Sequence, residues 1–310
     1  MDSPSEQDRL TGTALPTALG IGSILMWGST IAFSRSLAEE LGTLTSGALM
    51  LGVGGGAGAI HLLLHPGAFR GALKLPRRYL WGCGALFVGY MLCFYLAIGL
   101  SHTREQVIEA GILNYLWPSL TLLLAALLLR KRVRAPLLAA GIAVACGGVV
   151  LAMSSGGAVS LSGFAGNLRA NAVPYGFAFT GAVLWALYSA LSRVWASSDD
   201  ALATPIFLLA SALAVFLLRL GVHENTHWSP RVAAELLYTG LCPTWLGYAF
   251  WDVAMRRGNL VLVASLSYFI PVLSTAISSL YLGVPLGMSL WIGCALVVAG
   301  ALLCKRASLD

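Results

Sequence analysis

Long stretches without charged residues alternate with short charged segments along the whole chain. A bilayer core of about 30 Å needs roughly 20 apolar residues of helix, so each stretch is a candidate membrane-spanning helix. Residues 258–304 are too long for one crossing, and Gly283-Val-Pro-Leu-Gly287 within them predicts a tight turn between two helices. The other stretches hold one helix each, which gives ten predicted crossings in all: 10–34, 41–69, 79–103, 110–129, the part of 135–168 that ends near Met153, 170–192, 201–218 and 232–251, the last of which carries one charged residue, Glu235.

Positive charges are unevenly distributed between these stretches. If both termini face the cytoplasm, 14 of the 19 Lys and Arg residues fall on the cytoplasmic side and 5 on the other. Cytoplasmic loops of membrane proteins are enriched in Lys and Arg, so this bias predicts cytoplasmic N- and C-termini. The same clusters account for the net charge of +6 without a nucleic-acid partner.

The two halves of the chain resemble each other. Trp27 matches Trp185 and Tyr90 matches Tyr248, both at an offset of 158 residues. Five helices per repeat is an odd number, so the second copy must be inverted relative to the first. Chance similarity among Leu/Ala/Gly-rich helices is the alternative. The predicted organisation is a cytoplasmic tail (1–12), a first five-helix repeat (13–154), a Gly/Ser-rich periplasmic loop (155–171), a second, inverted five-helix repeat (172–304) and a C-terminal tail (305–310).

The composition is that of an all-α polytopic membrane protein. The chain is 58% hydrophobic and 10% charged, with a mean hydropathy of +0.81, outside the usual range for soluble domains. Its six cysteines form no C-x-x-C pair, so the sequence predicts no disulfide framework, metal site or cofactor. The H-E-x-x-H, Walker and G-x-S-x-G motifs are absent, which argues against an enzyme or an ATP-driven pump. Three acids and one arginine among the first nine residues argue against a cleavable signal peptide.

Two predicted helices contain unusual polar, proline-bearing segments. Asn114-Tyr-Leu-Trp-Pro118 interrupts the fourth helix, and Ser267-Tyr-Phe-Ile-Pro271 interrupts the ninth at an offset of 153. Each proline removes a backbone donor and frees a carbonyl one turn earlier, at Asn114 and at Ser267. These carbonyls and their neighbours are candidates to bind the polar end of a substrate. A kink that neighbouring helices satisfy is the alternative.

Aromatic and hydroxyl side chains share single faces on several other predicted helices. If those faces converge, they form an aromatic-walled cavity suited to a flat apolar solute with a zwitterionic end. Any one aromatic could instead pack in the core or in an interfacial belt, to which we assign Trp81 and Trp291. The predicted substrate-binding residues are Trp27, Thr30, Tyr90, Asn114, Trp117, Pro118, Trp185, Tyr188, Tyr248, Trp251, Ser267, Tyr268 and Pro271.

Two acids are candidates for coupling or for contact with a substrate charge. Asp252 lies in or near the membrane, where an ionisable residue is a functional candidate. Arg256 follows one turn later, so a snorkelling i,i+4 ion pair explains Asp252 equally well. Glu109 is predicted in the first turn of the fourth helix, where Thr103 and Gln106 have capping-box spacing and the helix dipole favours an acid. A structural role is the preferred interpretation of Glu109, and contact with a substrate ammonium group is the alternative.

These features resemble a known family. The five-plus-five arrangement, with a proline-bearing fourth and a Gly-rich fifth helix in each repeat, is similar to the EamA-type members of the drug/metabolite transporter (DMT) superfamily. Asn114-Tyr-Leu-Trp-Pro118 after Gly111, with Ala97-Ile-Gly-Leu100 upstream, resembles the YddG-type aromatic amino acid exporters. The resemblance covers the chain after residue 15. It implies a secondary transporter of the bacterial inner membrane that exports amino acids, aromatic ones in particular, by alternating access through a central cavity.

The resemblance implies amino acids and the lipid bilayer as partners, and a monomer is compatible with the sequence. Another metabolite or drug exporter of the same superfamily is an alternative. A nucleotide-sugar or organophosphate carrier would need a buried Lys or Arg, which the central stretches lack. A channel would show no saturation, and an intramembrane enzyme would need a paired nucleophile and base or a metal cluster.

Overall fold

The computed structural model describes residues 6–128, 134–153, 161–196, 203–282 and 288–307, and all secondary structure in these ranges is helical. Each helix predicted from the sequence appears in the structure as one helix or as a series of consecutive helical segments. The helices are α1 (Glu6–Leu41), α2 (Thr43–Leu64), α3 (Pro66–Leu73), α4 (Gly84–Gly99), α5 (Arg104–Asn114), α6 (Trp117–Leu128), α7 (Ala135–Met153), α8 (Leu161–Ala170), α9 (Val173–Trp195), α10 (Thr204–Arg219), α11 (Pro230–Thr239), α12 (Gly247–Arg257), α13 (Leu260–Leu266), α14 (Phe269–Leu282) and α15 (Met288–Ala307). π-helical segments, Arg78–Cys83 and Gly240–Leu246, lead directly into α4 and α12.

Three helices in the described ranges are long and apolar enough to cross a membrane unaided: Thr43–Leu64, Arg78–Gly99 and Val173–Trp195. A fourth is added if α1, bent by 44° between Thr30 and Ala32, counts as one span. The other apolar helices are shorter or broken. Ten crossings, the inverted arrangement and cytoplasmic termini therefore stay predictions. The predicted turn at 283–287 and most of the basic segment at 130–134 lie outside the described residues.

Each proline lies in the first turn of a new helix and does not kink a continuous one. The predicted fourth helix is broken at Tyr115 and Leu116, and Pro118 occupies the second position of α6. The predicted ninth helix is broken just before Phe269, and Pro271 occupies the third position of α14. In a first turn a proline removes no intrahelical hydrogen bond, so both breaks place the proline where its missing donor has no consequence for the helix.

Some helices begin or lie where the sequence predicted a tail or a loop. Helix α1 begins at Glu6, inside the predicted tail 1–12. The predicted loop at 155–171 contains α8, a helix of ten residues. Alternation of small, polar and apolar residues in α8 gave no run long enough to stand out as a membrane helix. The start of α5 follows its capping chemistry: the Thr103 hydroxyl accepts from the Gln106 N–H (3.2 Å), and Gln106 Oε1 accepts from the His102 N–H (2.8 Å).

Glycines set the closest helix contacts. Helix α7 packs against α15, and a Cβ on Gly148 would lie 2.7 Å from the Gly293 carbonyl oxygen and 2.8 Å from the Val297 nitrogen. On the next turns, a Cβ on Gly141 would lie 2.9 Å from the Gly300 carbonyl oxygen. Since lipid gives helices no hydrophobic reason to associate, such close backbone approach supplies the packing energy of this pair.

An acidic side chain joins the α1–α2 and α10–α11 connections. Glu224 accepts hydrogen bonds from the Leu44 N–H, the Thr45 N–H (both 2.8 Å) and the Thr45 hydroxyl (2.7 Å), which caps the start of α2. Gly42 has φ +86°, and a Cβ there would collide with Glu224. Burial alone raises the pKa of the Glu224 carboxyl, but these hydrogen bonds and the charge of Arg219 lower it further than burial raises it, so its pKa lies below the ordinary 4.5.

The glycine contact can be tested with neighbouring glycines of α7. Gly148→Val must push the backbone of α15 away, and we expect it to cost about 1–3 kcal/mol and to lower the melting temperature in detergent. Gly147→Val is the matched control, because a Cβ on Gly147 meets nothing within 4 Å. Equal melting temperatures for the two variants would contradict the assigned helix contact.

The Glu224 cap makes a prediction about pH. A carboxyl whose pKa is lower in the folded state stabilises the fold at neutral pH, and this contribution is lost as the pH falls below 4.5 through the folded-state pKa. Glu224→Ala should therefore cost about 1 kcal/mol at pH 7, and its deficit in melting temperature should shrink below pH 4.5. Glu39→Ala, which removes an exposed acid paired with Arg35, should have little effect at either pH.

Candidate functional site

Trp185 of α9 is the centre of an aromatic cluster formed by α1, α4, α6, α9 and α12. Its ring contacts seven others at centroid distances between 4.8 and 6.3 Å, within the range of favourable aromatic pairs. We call this set the aromatic cluster: Trp27, Phe87, Tyr90, Trp117, Trp185, Tyr188, Tyr248 and Trp251. Seven of its members were predicted from the sequence. Phe87 was missed, although it lies one turn from Tyr90 on α4.

Two tryptophan–tyrosine pairs at the centre of the cluster are related by the repeat. Trp27 and Tyr248 contact each other with ring centroids 5.2 Å apart, and Trp185 and Tyr90 do so at 4.8 Å. Each pair joins a tryptophan of one half to a tyrosine of the other, and the offset of 158 residues exchanges the two pairs. Trp185 is 2% exposed and Tyr90 9%, whereas Trp27 and Tyr248 are only partly buried. The two pairs therefore differ in accessibility, and the Trp27–Tyr248 pair is the open one.

Polar groups border the cluster at several points. Trp27 Nε1 donates to the carbonyl oxygen of Pro243 (2.9 Å), in the π-helical segment before α12. Trp251 Nε1 donates to the Ser189 hydroxyl (3.1 Å). Asn114 Nδ2, at the end of α5, donates to the Ala178 carbonyl oxygen (3.2 Å). These bonds hold the two indoles and the amide in fixed orientations around the rings.

A buried charge network lies beside the cluster. Asp252 Oδ1 accepts hydrogen bonds from the hydroxyls of Tyr79 (2.8 Å) and Tyr188 (3.0 Å). Arg256 Nε lies 2.9 Å from Asp252 Oδ2, an ion-pair distance, although this N–H is not aligned for a hydrogen bond. The guanidinium carbon of Arg256 also lies 5.7 Å from the centre of the Tyr79 ring. The i,i+4 pair predicted from the sequence is present, but snorkelling was wrong, because the Arg256 side chain is 3% exposed.

Several predicted site residues point elsewhere. The Ser267 hydroxyl donates to the Ala264 carbonyl oxygen of its own helix (2.6 Å). The Tyr268 hydroxyl contacts the Ser119 hydroxyl, and its ring belongs to a separate apolar group with Ala145 and Val297 of the α7–α15 pair. Thr30 is 3.5 Å from the Met26 carbonyl oxygen, a local contact within α1. Pro118 and Pro271 are buried in first turns, as described above. Tyr268 therefore packs with α7 and α15, and the hydroxyls of Ser267 and Thr30 are directed to carbonyl oxygens of their own helices.

Glu109 lies in a second polar group. Because α5 begins at Arg104, Glu109 is in its second turn, which corrects the prediction that placed it in the first. Its carboxylate is 2% exposed and accepts from the Tyr175 hydroxyl of α9 and from Asn167 Nδ2 of α8 (3.2 and 3.3 Å to the two oxygens). Asn167 was missed because it lies in a segment predicted to be a loop. In the described part of the chain, no three His, Cys, Asp or Glu side chains are placed to hold a metal ion.

The Asp252–Arg256 pair can be tested by its charge balance. Asp252→Asn keeps an oxygen for the two tyrosine hydroxyls but leaves the guanidinium buried without its counter-ion, which should cost about 3–5 kcal/mol. Adding Arg256→Met to Asp252→Asn should restore part of the melting temperature lost by the single variant. A single variant as stable as the unaltered protein would show that the charges are not buried together.

Comparisons with known proteins identify the family. The model of the EamA-like transporter family matches residues 15–154 and 173–305. The aromatic amino acid exporter YddG of Salmonella typhimurium is 32% identical over 94% of this chain and 97% of its own, and that of Escherichia coli K12 is 31% identical over the same shares. The exporter of the same name from Ancylobacter novellus is 32% identical over 92% and 95%. A solved crystal structure with 26% identity superposes with a TM-score of 0.77 over 95% of this chain and 99% of its own. The chain therefore belongs to the EamA-like transporter family and is a polytopic membrane transporter.

Proposed function

We propose that this transporter exports aromatic amino acids across the bacterial inner membrane and binds them at the aromatic cluster. The observation that carries the proposal is the Trp27–Tyr248 pair, which is partly open and lies where helices of both halves meet. A flat side chain can stack or pack edge-on against these two rings in the way that the rings pack against each other. The names of the similar exporters point to the same substrate class.

The polar end of the amino acid needs hydrogen-bonding groups close to the rings. The Tyr248 hydroxyl contacts the Met91 sulfur at 3.9 Å, and a thioether is a weak acceptor. A substrate carboxylate would be a much better acceptor for this hydroxyl. The Asn114 amide offers both a donor and an acceptor for the ammonium or the carboxylate group. It lies close to Gly181, where a Cβ would be 3.3 Å from Asn114 Nδ2 and 3.6 Å from the Tyr90 ring.

Transport would proceed by alternating access between two inverted five-helix repeats with cytoplasmic termini. The two ring pairs support this arrangement. The repeat offset relates Trp27 to Trp185 and Tyr248 to Tyr90, so it relates one pair to the other. The helix contacts have the same symmetry: α4 packs against α9 as α12 packs against α1. Inverted repeats with a site at their junction can open to either side by exchanging the packing of the two halves. The Trp27–Tyr248 pair would then be the accessible one in one state, and the Trp185–Tyr90 pair in the other.

A broader metabolite or drug exporter is the second candidate, since the rings accept any flat apolar solute. An organophosphate carrier is disfavoured by the charges: Arg256 is paired with Asp252, and Arg193 donates to the carbonyl oxygens of Met255 and Gly258 at the end of α12. Both guanidinium groups are engaged in holding helices together, so neither is free to bind a phosphate.

Counterflow in proteoliposomes tests the proposed substrate. We expect vesicles loaded with unlabelled phenylalanine to accumulate labelled phenylalanine with saturable kinetics, and tyrosine and tryptophan to compete. Indole competing as well as tryptophan would favour the broader drug exporter, because indole lacks the amino acid group. Flux that does not saturate, or no flux for any aromatic amino acid, would contradict the proposal.

Two substitutions test the assigned polar contacts. Asn114→Ala and Tyr248→Phe each remove a hydrogen bond to a charged substrate group, worth about 1.5–3 kcal/mol, so each should lower the apparent affinity by about tenfold or more. Melting temperature and monodispersity in detergent should stay near those of the unaltered protein. Trp291→Phe is the control, because Trp291 is 58% exposed and predicted to lie in the interfacial belt. Unfolding of both variants would mean that these residues serve packing instead.

A further inference from the structure

One face of α9 connects two buried acids, Glu109 and Asp252. Tyr175, Ala178, Gly181, Trp185 and Tyr188 follow each other at three- or four-residue spacing, and we call them the α9 seam. At one end Tyr175 donates to Glu109, and at the other Tyr188 donates to Asp252. Between them lie the Asn114 contact and the aromatic cluster. Thirteen residues of helix separate the two tyrosines, about 20 Å. The substrate site proposed above therefore lies between two carboxyl groups.

The two carboxyl groups have different partners. Asp252 is 2.9 Å from the guanidinium of Arg256, and that side chain is 3% exposed. The donors seen at Glu109, the Tyr175 hydroxyl and the Asn167 amide, are neutral. In a medium of low dielectric constant, losing the charge of Asp252 would leave a buried cation unbalanced. Losing the charge of Glu109 would leave no such cation among the described side chains that contact it.

The surroundings of Glu109 can satisfy both of its protonation states. As a carboxylate it accepts two hydrogen bonds. As a neutral acid it can donate its own proton to the Tyr175 oxygen, because a phenol hydroxyl both donates and accepts, while its other oxygen still accepts from Asn167. At Asp252, by contrast, Arg256 Nε lies 2.9 Å from the second carboxylate oxygen, and a neutral acid would leave that buried cation without its counter-ion.

The other titratable groups near Glu109 lie on α5 itself and on the elements around it. On α5 itself Arg104 and Glu105 precede it, and their side chains lie outside the described part of the structure. Helix α8 adds Arg169, which is exposed, and the connection before α5 adds His102, also exposed. The nearest titratable group of α9 is Tyr175. Helix α4 carries Tyr90, Cys93 and Tyr95, and α7 carries Cys146, side chains that do not become cations.

In the proposed transport cycle, water would approach Glu109 from two directions. On α8, which carries Asn167, Gly163 and Gly166 are exposed. Toward the protein centre, Asn114 follows Glu109 by five residues on α5, a rise of about 7.5 Å. A central cavity that exposes Asn114 therefore brings water to within one or two turns of the carboxyl group. Access from alternating sides is the condition that a coupling site must meet.

We propose that Glu109 is a proton-binding site of the transport cycle and that Asp252 stays ionised throughout it. A proton passes from water on one side to a carboxylate oxygen of Glu109 and leaves to water on the other side, so no other reactant is consumed. The inference rests on the proposed function in treating this proton as coupled to amino acid export. The existence of the proton site itself does not depend on which solute is exported.

Infrared difference spectra between acidic and neutral pH test the proton site without any substrate. The unaltered protein should show a carboxylic acid carbonyl band that Glu109→Gln removes. The matched control is Glu235→Gln, which replaces another buried acid that is paired with an arginine, Arg231; it should leave the band in place. A band that persists in Glu109→Gln, or that disappears in the control, would overturn the assignment.

Transport across a pH gradient tests the coupling. In vesicles, a proton gradient directed opposite to phenylalanine movement should accelerate flux through the unaltered protein and through Glu235→Gln. Glu109→Gln should keep counterflow at equal pH but lose the acceleration. Acceleration retained by Glu109→Gln, or absent from the unaltered protein, would overturn the proposal. Absence of any saturable phenylalanine flux would instead contradict the proposed function, and the infrared result would still decide the proton site.

Discussion

The structure depends on how five helices meet around one tryptophan. Trp185 contacts rings from α1, α4, α6 and α12, so each of these helices is positioned against α9 through an aromatic side chain. Large rings bury much area and tolerate edge-on and tilted contacts alike, which lets the same residues repack when helices shift. A rigid aliphatic core would not have this freedom. The aromatic cluster can therefore be filled by side chains and still rearrange to admit a flat solute.

Buried charges are compatible with this centre because each one is satisfied within the helix bundle. In the membrane no water is present to solvate a stray charge, so Asp252 is held by Arg256 and two tyrosine hydroxyls. Glu109 is held by weaker, neutral donors. One acid thus has a charged partner, and the other is bound by neutral groups. The same constraint explains why the glycine contacts of α7 and α15 are so close: packing is the main force available there.

Much of this could be predicted from the sequence, and the failures have a common cause. The four rings at the centre lie at positions related by the repeat offset, and all four were predicted as site residues. Prolines located both broken helices. Sequence spacing gives the face of a helix but not its rotation about its own axis, which tertiary packing sets. Tyr268 was therefore assigned to the cavity, although it packs toward α7 and α15. Partners far apart in the chain, such as Tyr79 and Asp252, leave no local pattern at all.

The central claim is that the open ring pair binds the side chain of an aromatic amino acid. Tryptophan fluorescence measures this directly, because phenylalanine does not fluoresce at the wavelengths that excite indole. Titration with phenylalanine should change the emission with a saturable curve, and Trp27→Phe should reduce the amplitude of the change while glycine gives none in either protein. An equal change for glycine, or an unaltered amplitude in Trp27→Phe, would contradict binding at the Trp27–Tyr248 pair.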